Sequence, residues 1–281
     1  MKRNFKRLIE HNKWFKKVPN ALTLCNSLCG FGAILYTLHV YDSPREPEIV
    51  LAISAWIILF AMVFDALDGF AARIFNAGSM HGLQMDSLAD MITFGVAPAI
   101  VVAVMAHSMR DMKPYQYFIV WAFCAIYLGC AALRLATYNV HAILEKKSGN
   151  KFTGLPSPGA AAAVCSLVIF YSTKKGEMEQ IVAVLPLYAA TLGILMVSNI
   201  PYTHVGRWLF SVRRNKKRLF ILFIVLIAIY YSPIPMIVLV INAYIFSGPF
   251  IAILVRLGLL SEQPPVPVLE VKHNHSDTTK I

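Results

Sequence analysis

Four aspartates carry the chemistry that this sequence can do. Of its 15 acidic residues, only Asp65, Asp68, Asp86 and Asp90 sit at the ends of long apolar stretches; the others fall in the arm, loops and tail. A carboxylate inside a bilayer costs roughly 2.5–3.5 kcal/mol, less near the interface, and four together repel one another. They persist only beside positive charge, and Arg73 is the one basic residue close by. A divalent cation resolves the conflict, and oxygen-only ligands suit magnesium or manganese.

The spacing assembles such a pocket. Asp65, Asp68, Gly69 and Ala72 follow i, i+3, i+4, i+7 and share one helix face. Gly82, Asp86 and Asp90 follow i, i+4, i+8 and share another. Two antiparallel helices joined by a short turn bring the two faces together. Gly69 and Ala72 free room for a flat or phosphorylated ligand, and Arg73 suits a phosphate oxygen. A solvated helix–turn–helix explains one aspartate at a helix end, but not four at these spacings.

The elements that must position these residues are membrane helices. The 281 residues are 57% hydrophobic and only 15% charged, with a mean hydropathy of +0.60. Soluble domains run to about half apolar and one quarter charged, so the chain is an integral membrane protein. Disordered, collagen-like and disulfide-scaffold classes are excluded on the same ground. A span needs about 20 mostly apolar residues. The expected fold is an all-α, polytopic bundle of about eight spans, at 20–41, 49–72, 87–106, 115–138, 157–172, 181–200, 218–232 and 234–255.

The net charge of +11 reads as a cytoplasmic excess of Lys and Arg rather than as a nucleic-acid footprint. With the N-terminus inside, only Arg45, Arg110, Lys113, Lys174 and Lys175 of the 26 basic residues fall outside. Both termini are then cytoplasmic, and the aspartates lie at the cytoplasmic interface. Residues 1–19 form a basic arm in which Phe5, Leu8, Ile9 and Phe15 fall near one face, the pattern of a helix lying in the headgroup layer. Residues 20–200 form a six-helix core, and 201–260 hold a basic loop and two additional helices. The loop's Arg207, Arg213, Arg214, Lys216, Lys217 and Arg218 read as topology determinants that touch anionic lipid. Residues 261–281 read as a disordered tail. The five cysteines lie in apolar runs without metal-site spacing.

Taken together, Asp65-x2-Asp68-Gly69-x2-Ala72-Arg73-x8-Gly82-x3-Asp86-x3-Asp90 resembles the complete signature of the CDP-alcohol phosphotransferase family. The resemblance implies a dimeric helical membrane enzyme in which two divalent cations, magnesium or manganese, are held by Asp65, Asp68, Asp86 and Asp90. It implies that a CDP-linked lipid gives its phosphatidyl group to an alcohol and releases CMP. Gly69, Ala72, Arg73, Ser79 and Gly82, with Asn20 and Thr23, would surround the CDP moiety of CDP-diacylglycerol. Asp90 would be the catalytic base that takes the alcohol proton.

Further stretches resemble the membrane-integral bacterial phosphatidylserine synthase branch of that family. They are Pro19-Asn20-x2-Thr23-x2-Asn26-x3-Gly30, the run Asp86 to Pro98, Ala132-Leu-Arg134-Leu-Ala, Tyr138-Asn139 and Gly154-Leu155-Pro156-x-Pro158. That branch implies L-serine as the acceptor, with Arg134 and Asn139 holding its carboxylate and amine, and a bacterial inner-membrane location. Its common Leu-Arg-Leu-Ala-Arg-Phe-Asn differs here, because Thr137 and Tyr138 replace the last Arg and the Phe. Glycerol 3-phosphate, an inositol compound or choline are the alternative acceptors. The alternative of another class is a cation transporter, which would place its acids near the bilayer midplane on broken or repeated helices; here they cluster at one interface.

Overall fold

A computed structural model of the protein describes residues 17–75, 79–108, 112–144, 154–174, 179–200, 202, 216–257 and 259. Residues 1–16 of the expected interfacial arm over 1–19, the tail from residue 261, and Arg207, Arg213 and Arg214 of the basic loop lie outside the described residues.

Among the described residues every regular element is a helix. In chain order they are α1 (Val18–Leu38), α2 (Pro47–Ile74), α3 (Met80–Asp90), a π-helical stretch (Met91–Val96), α4 (Ala97–Ser108), α5 (Pro114–Leu144), α6 (Ser157–Thr173), α7 (Glu179–Val197), α8 (Lys216–Tyr231) and α9 (Pro233–Arg256). Proline opens α1, α2, α6 and α9, where its missing N–H costs nothing and its fixed φ suits the first turn.

A helix occupies each of the eight expected stretches, with α3, the π-helical stretch and α4 forming one continuous rod. Among the described residues, six helices are long and apolar enough to cross a membrane, whereas α6 is a shorter apolar helix of 17 residues and α8 has 16 residues. The architecture is a multi-pass helical membrane bundle.

The Met80–Ser108 rod is the centre of that bundle, with 61% of its apolar window buried against 11% for α9. Helix α1 runs along α2, α5 along α7, and α6 is wedged between α2 and α9. The core is lined by small and branched residues, among them Ala33, Ala55, Val101, Ala160 and Val164. Small side chains let helix backbones approach where lipid offers no hydrophobic driving force. Gly30 shows how close: a Cβ there would lie 2.8 Å from Thr93 Cα of the π-helical stretch.

The π-helical stretch has an identifiable cause. Pro98 has no N–H to give the carbonyl of Phe94, four residues back. The phenol of Tyr127, fully buried on α5, donates to that carbonyl instead, at 2.8 Å. The break directly follows Asp90 and sets how the rod leaves the aspartate cluster. A second special backbone position is Gly154, whose φ of 89° is open to glycine and strained for other residues. Its N–H donates to Ile200 O at 2.8 Å, which seats the start of α6 against the end of α7.

Candidate active site

The C-terminal end of α2 supplies Asp65 and Asp68, and α3 supplies Asp86. One carboxylate oxygen from each lies within 4.8 Å of the others. Helix periodicity explains how a single face of each helix delivers them. Ser79 starts α3 by accepting the Gly82 N–H at 2.9 Å, the cap that fixes the first turn. Asp68 is 5% exposed, and Thr23 of α1 donates to its Oδ2 at 2.8 Å. Asp86 Oδ1 is buried without any hydrogen-bond partner, a vacancy that costs about 1–3 kcal/mol when nothing fills it. Three hard oxygen donors at this separation, one with an unfilled lone pair, fit a divalent cation of the magnesium or manganese kind.

Asp90 lies against the same cluster. Its carboxyl and that of Asp65 are hydrogen-bonded, and Asp86 and Asp68 also act on it, while the three oxygens within 4.8 Å of one another come from Asp65, Asp68 and Asp86. Its Oδ1 accepts a hydrogen bond from Asn26 Nδ2 at 3.2 Å. The four aspartates, which the spacing alone presents as equivalent, thus take different partners from α1.

The residues expected around CDP line the same end of the bundle. A Cβ on Gly82 would sit 3.1 Å from Ser79 Oγ and 3.6 Å from Asn20 Oδ1, so Asn20, Ser79 and Gly82 converge. A Cβ on Gly69 would meet nothing within 4 Å. That face of α2 is open beside the trio, and Ala72 keeps it low. Arg73 is exposed, and its Nε donates to Gly69 O at 2.9 Å, which lays the guanidinium back along the helix toward the aspartates.

Arg134 and Asn139 point to different neighbours. Asn139 Oδ1 accepts from Ser87 Oγ at 2.8 Å, which places it one residue from Asp86. Arg134 NH1 donates to Met196 O at 2.9 Å at the end of α7, and a Cβ on Gly154 would come within 2.9 Å of that nitrogen. Helix spacing accounts for the split, since residues five apart are rotated by about 140°. Two site residues carry no role on spacing alone: Asn26, which falls within the Pro19–Gly30 motif, and Ser87, which sits between two motif positions.

Comparison with known proteins agrees with this geometry. The CDP-alcohol phosphatidyltransferase family matches residues 16–205. A Helicobacter pylori protein named CDP-diacylglycerol–serine O-phosphatidyltransferase is 28% identical over 241 residues, covering 82% of this chain and 88% of that protein. A Mycobacterium bovis protein of the same name is 30% identical over 236 residues, with coverage of 83% and 77%. The archaetidylserine synthase of Methanothermobacter thermautotrophicus is 34% identical over 193 residues, with coverage of 68% and 71%. With the aspartate signature gathered at one end of an apolar bundle and the family matched over most of its length, the chain belongs to the CDP-alcohol phosphatidyltransferases.

Proposed function

We propose that the protein transfers the phosphatidyl group of CDP-diacylglycerol to the hydroxyl of L-serine and releases CMP. The observation that carries this reading is the Asp65–Asp68–Asp86 oxygen group, set beside the open face at Gly69. The relatives named for serine transfer support serine as the acceptor. The proposal includes the cytoplasmic side of a bacterial inner membrane, with both termini inside and eight spans. It also includes a homodimer and the division into arm, six-helix core, added helix pair and tail. The positive-inside pattern supports the orientation.

Asp65, Asp68 and Asp86 would hold the two divalent cations, with Asp90 at the edge of the group. When bound, magnesium or manganese neutralises charge on the transferring phosphates. Asn20, Thr23, Gly69, Ala72, Arg73, Ser79 and Gly82 bind the CDP moiety, the glycines and alanine by leaving room and Arg73 by its charge. Asp90 takes the proton of the serine hydroxyl. The serine oxygen bonds to the phosphatidyl phosphorus as the bond from that phosphorus to CMP breaks, and CMP keeps the bridging oxygen.

The test is CMP release by purified protein in lipid–detergent micelles, with CDP-diacylglycerol, a divalent cation and one alcohol at a time. Release with serine, matched by phosphatidylserine in mass spectra, is the expected result. Release only with glycerol 3-phosphate, an inositol compound or choline overturns the acceptor and keeps the donor chemistry.

Arg134 is the proposed clamp for the serine carboxylate, and Asn139, tied to Ser87, is the contact for its amine. Because Arg134 also anchors α7 through Met196 O, Arg134→Lys separates the two jobs. Lysine can still donate to a carbonyl but cannot grip a carboxylate with two parallel bonds. We expect KM for serine to rise by about tenfold or more in Arg134→Lys, with KM for CDP-diacylglycerol and the unfolding temperature unchanged. Initial rates over a serine series check this, and a rise in donor KM instead would move Arg134 to the phosphate site.

A further inference from the structure

We infer that Asn26 positions Asp90, fixing the orientation of this fourth carboxylate at the edge of the aspartate cluster for the acceptor alcohol. The inference rests on the reading above that Asp90 receives the acceptor's proton. Helix α1 presents two polar residues three apart to the site, and they serve different acids: Thr23 donates to Asp68 at 2.8 Å and Asn26 donates to Asp90 at 3.2 Å. Asn26 is 0% exposed, and its Oδ1 is buried without a donor. A buried amide with an empty acceptor is oriented by its other end. Turning it over would press its oxygen against the Asp90 carboxylate, so the donor must face Asp90.

The backbone beneath Asn26 is held as firmly as its side chain. Thr93 Oγ1 donates to Asn26 O at 3.0 Å, and Thr93 is itself 0% exposed. One turn further along α1, Gly30 lies so close that a Cβ would stand 2.8 Å from Thr93 Cα. Helix α1 therefore grips the central rod on both sides of the change from α to π geometry, through Asp90 before it and Thr93 after it. Such π-helical breaks gather at functional sites. Here the break begins at the residue after Asp90.

The experiment uses the full chain in lipid–detergent micelles, with CDP-diacylglycerol and whichever alcohol supports CMP release. Asn26→Leu keeps the branching at Cγ and removes the donor. We expect kcat to fall on the order of 10–100-fold, with KM for the donor and Mn2+ affinity, titrated by electron paramagnetic resonance without substrate, within about twofold of the parent. A double-mutant cycle decides whether the effect passes through Asp90. In an Asp90→Asn background, Asn26→Leu should add almost nothing. Additive losses overturn the inference, as does a fall in Mn2+ affinity that matches the fall in rate. Asn26→Leu at full turnover, with Asp90→Asn inactive, overturns the positioning role alone. Full turnover in Asp90→Asn overturns the base reading on its own ground, and a kcat loss in Asn26→Leu would then overturn action through Asp90. Should Asn26→Leu fail to fold, Asn26→Ser carries the same cycle.

Discussion

Asp86→Asn is expected to lower CMP release by about a thousandfold, equivalent to about 4 kcal/mol, while making the cation-free protein harder to unfold. Both halves follow from one arrangement. Asp86 contributes an oxygen to a group in which three carboxylates lie within 4.8 Å, and its Oδ1 is buried without a partner. Asparagine keeps the shape, removes one negative charge and replaces one oxygen with an amide nitrogen that no hard cation accepts. Without a cation, the parent bears the mutual repulsion of the three acids, and the variant bears less of it. The unfolding temperature in EDTA should therefore rise by a few degrees. Addition of magnesium should stabilise the parent and leave the variant nearly unchanged, because a ligand stabilises a fold only to the extent that it binds. Thermal unfolding with and without magnesium, read beside Mn2+ titration, checks the prediction. Unchanged Mn2+ affinity in Asp86→Asn would remove the trio from cation binding whatever the rate did.

The trio was readable in the sequence because helix periodicity is local. Once residues 47–74 and 80–90 are helices, i, i+3 and i, i+4 spacing must put each set on one face. The turn between them is too short to let the faces separate. What spacing could not show was the inequality of the four aspartates. That depends on α1, whose crossing places Thr23 against Asp68 and Asn26 against Asp90; both contacts join residues far apart in sequence.

The same distinction applies to the central rod. Apolar composition marked a span at 87–106 but gave no break within it. Pro98 was the available signal, since it must orphan the carbonyl of Phe94. The partner that makes the break tolerable, Tyr127, lies on another helix and cannot be found by pattern. Arg134 and Asn139 mark a further limit. Their place at the end of an apolar run is legible, but their partners, Met196 for Arg134 and Ser87 for Asn139, lie on other helices and far away in sequence. The count of spans depends on length, and α6 and α8 are the two elements in which apolar composition outruns helix length.

Asp90→Asn should produce the opposite profile to Asp86→Asn: turnover lost by about 10²–10⁴-fold, with cation binding and donor binding largely kept. The asparagine introduced at position 90 still offers a carbonyl oxygen to Asn26 Nδ2, which donates to Oδ1 at 3.2 Å in the parent, so the clasp between α1 and the rod survives. What the substitution removes is a group able to take a proton. Because the oxygens within 4.8 Å of one another come from the other three aspartates, Mn2+ affinity should fall far less than in Asp86→Asn, and KM for CDP-diacylglycerol should stay within about twofold. Single-turnover CMP release with donor prebound measures the chemical step directly. If Mn2+ affinity fell in Asp90→Asn as far as in Asp86→Asn, Asp90 would be a ligand first, and the proton would have to leave serine by another route. If both substitutions lost turnover but only Asp86→Asn lost the cation, the four aspartates would divide by role, three holding charge and the fourth moving a proton.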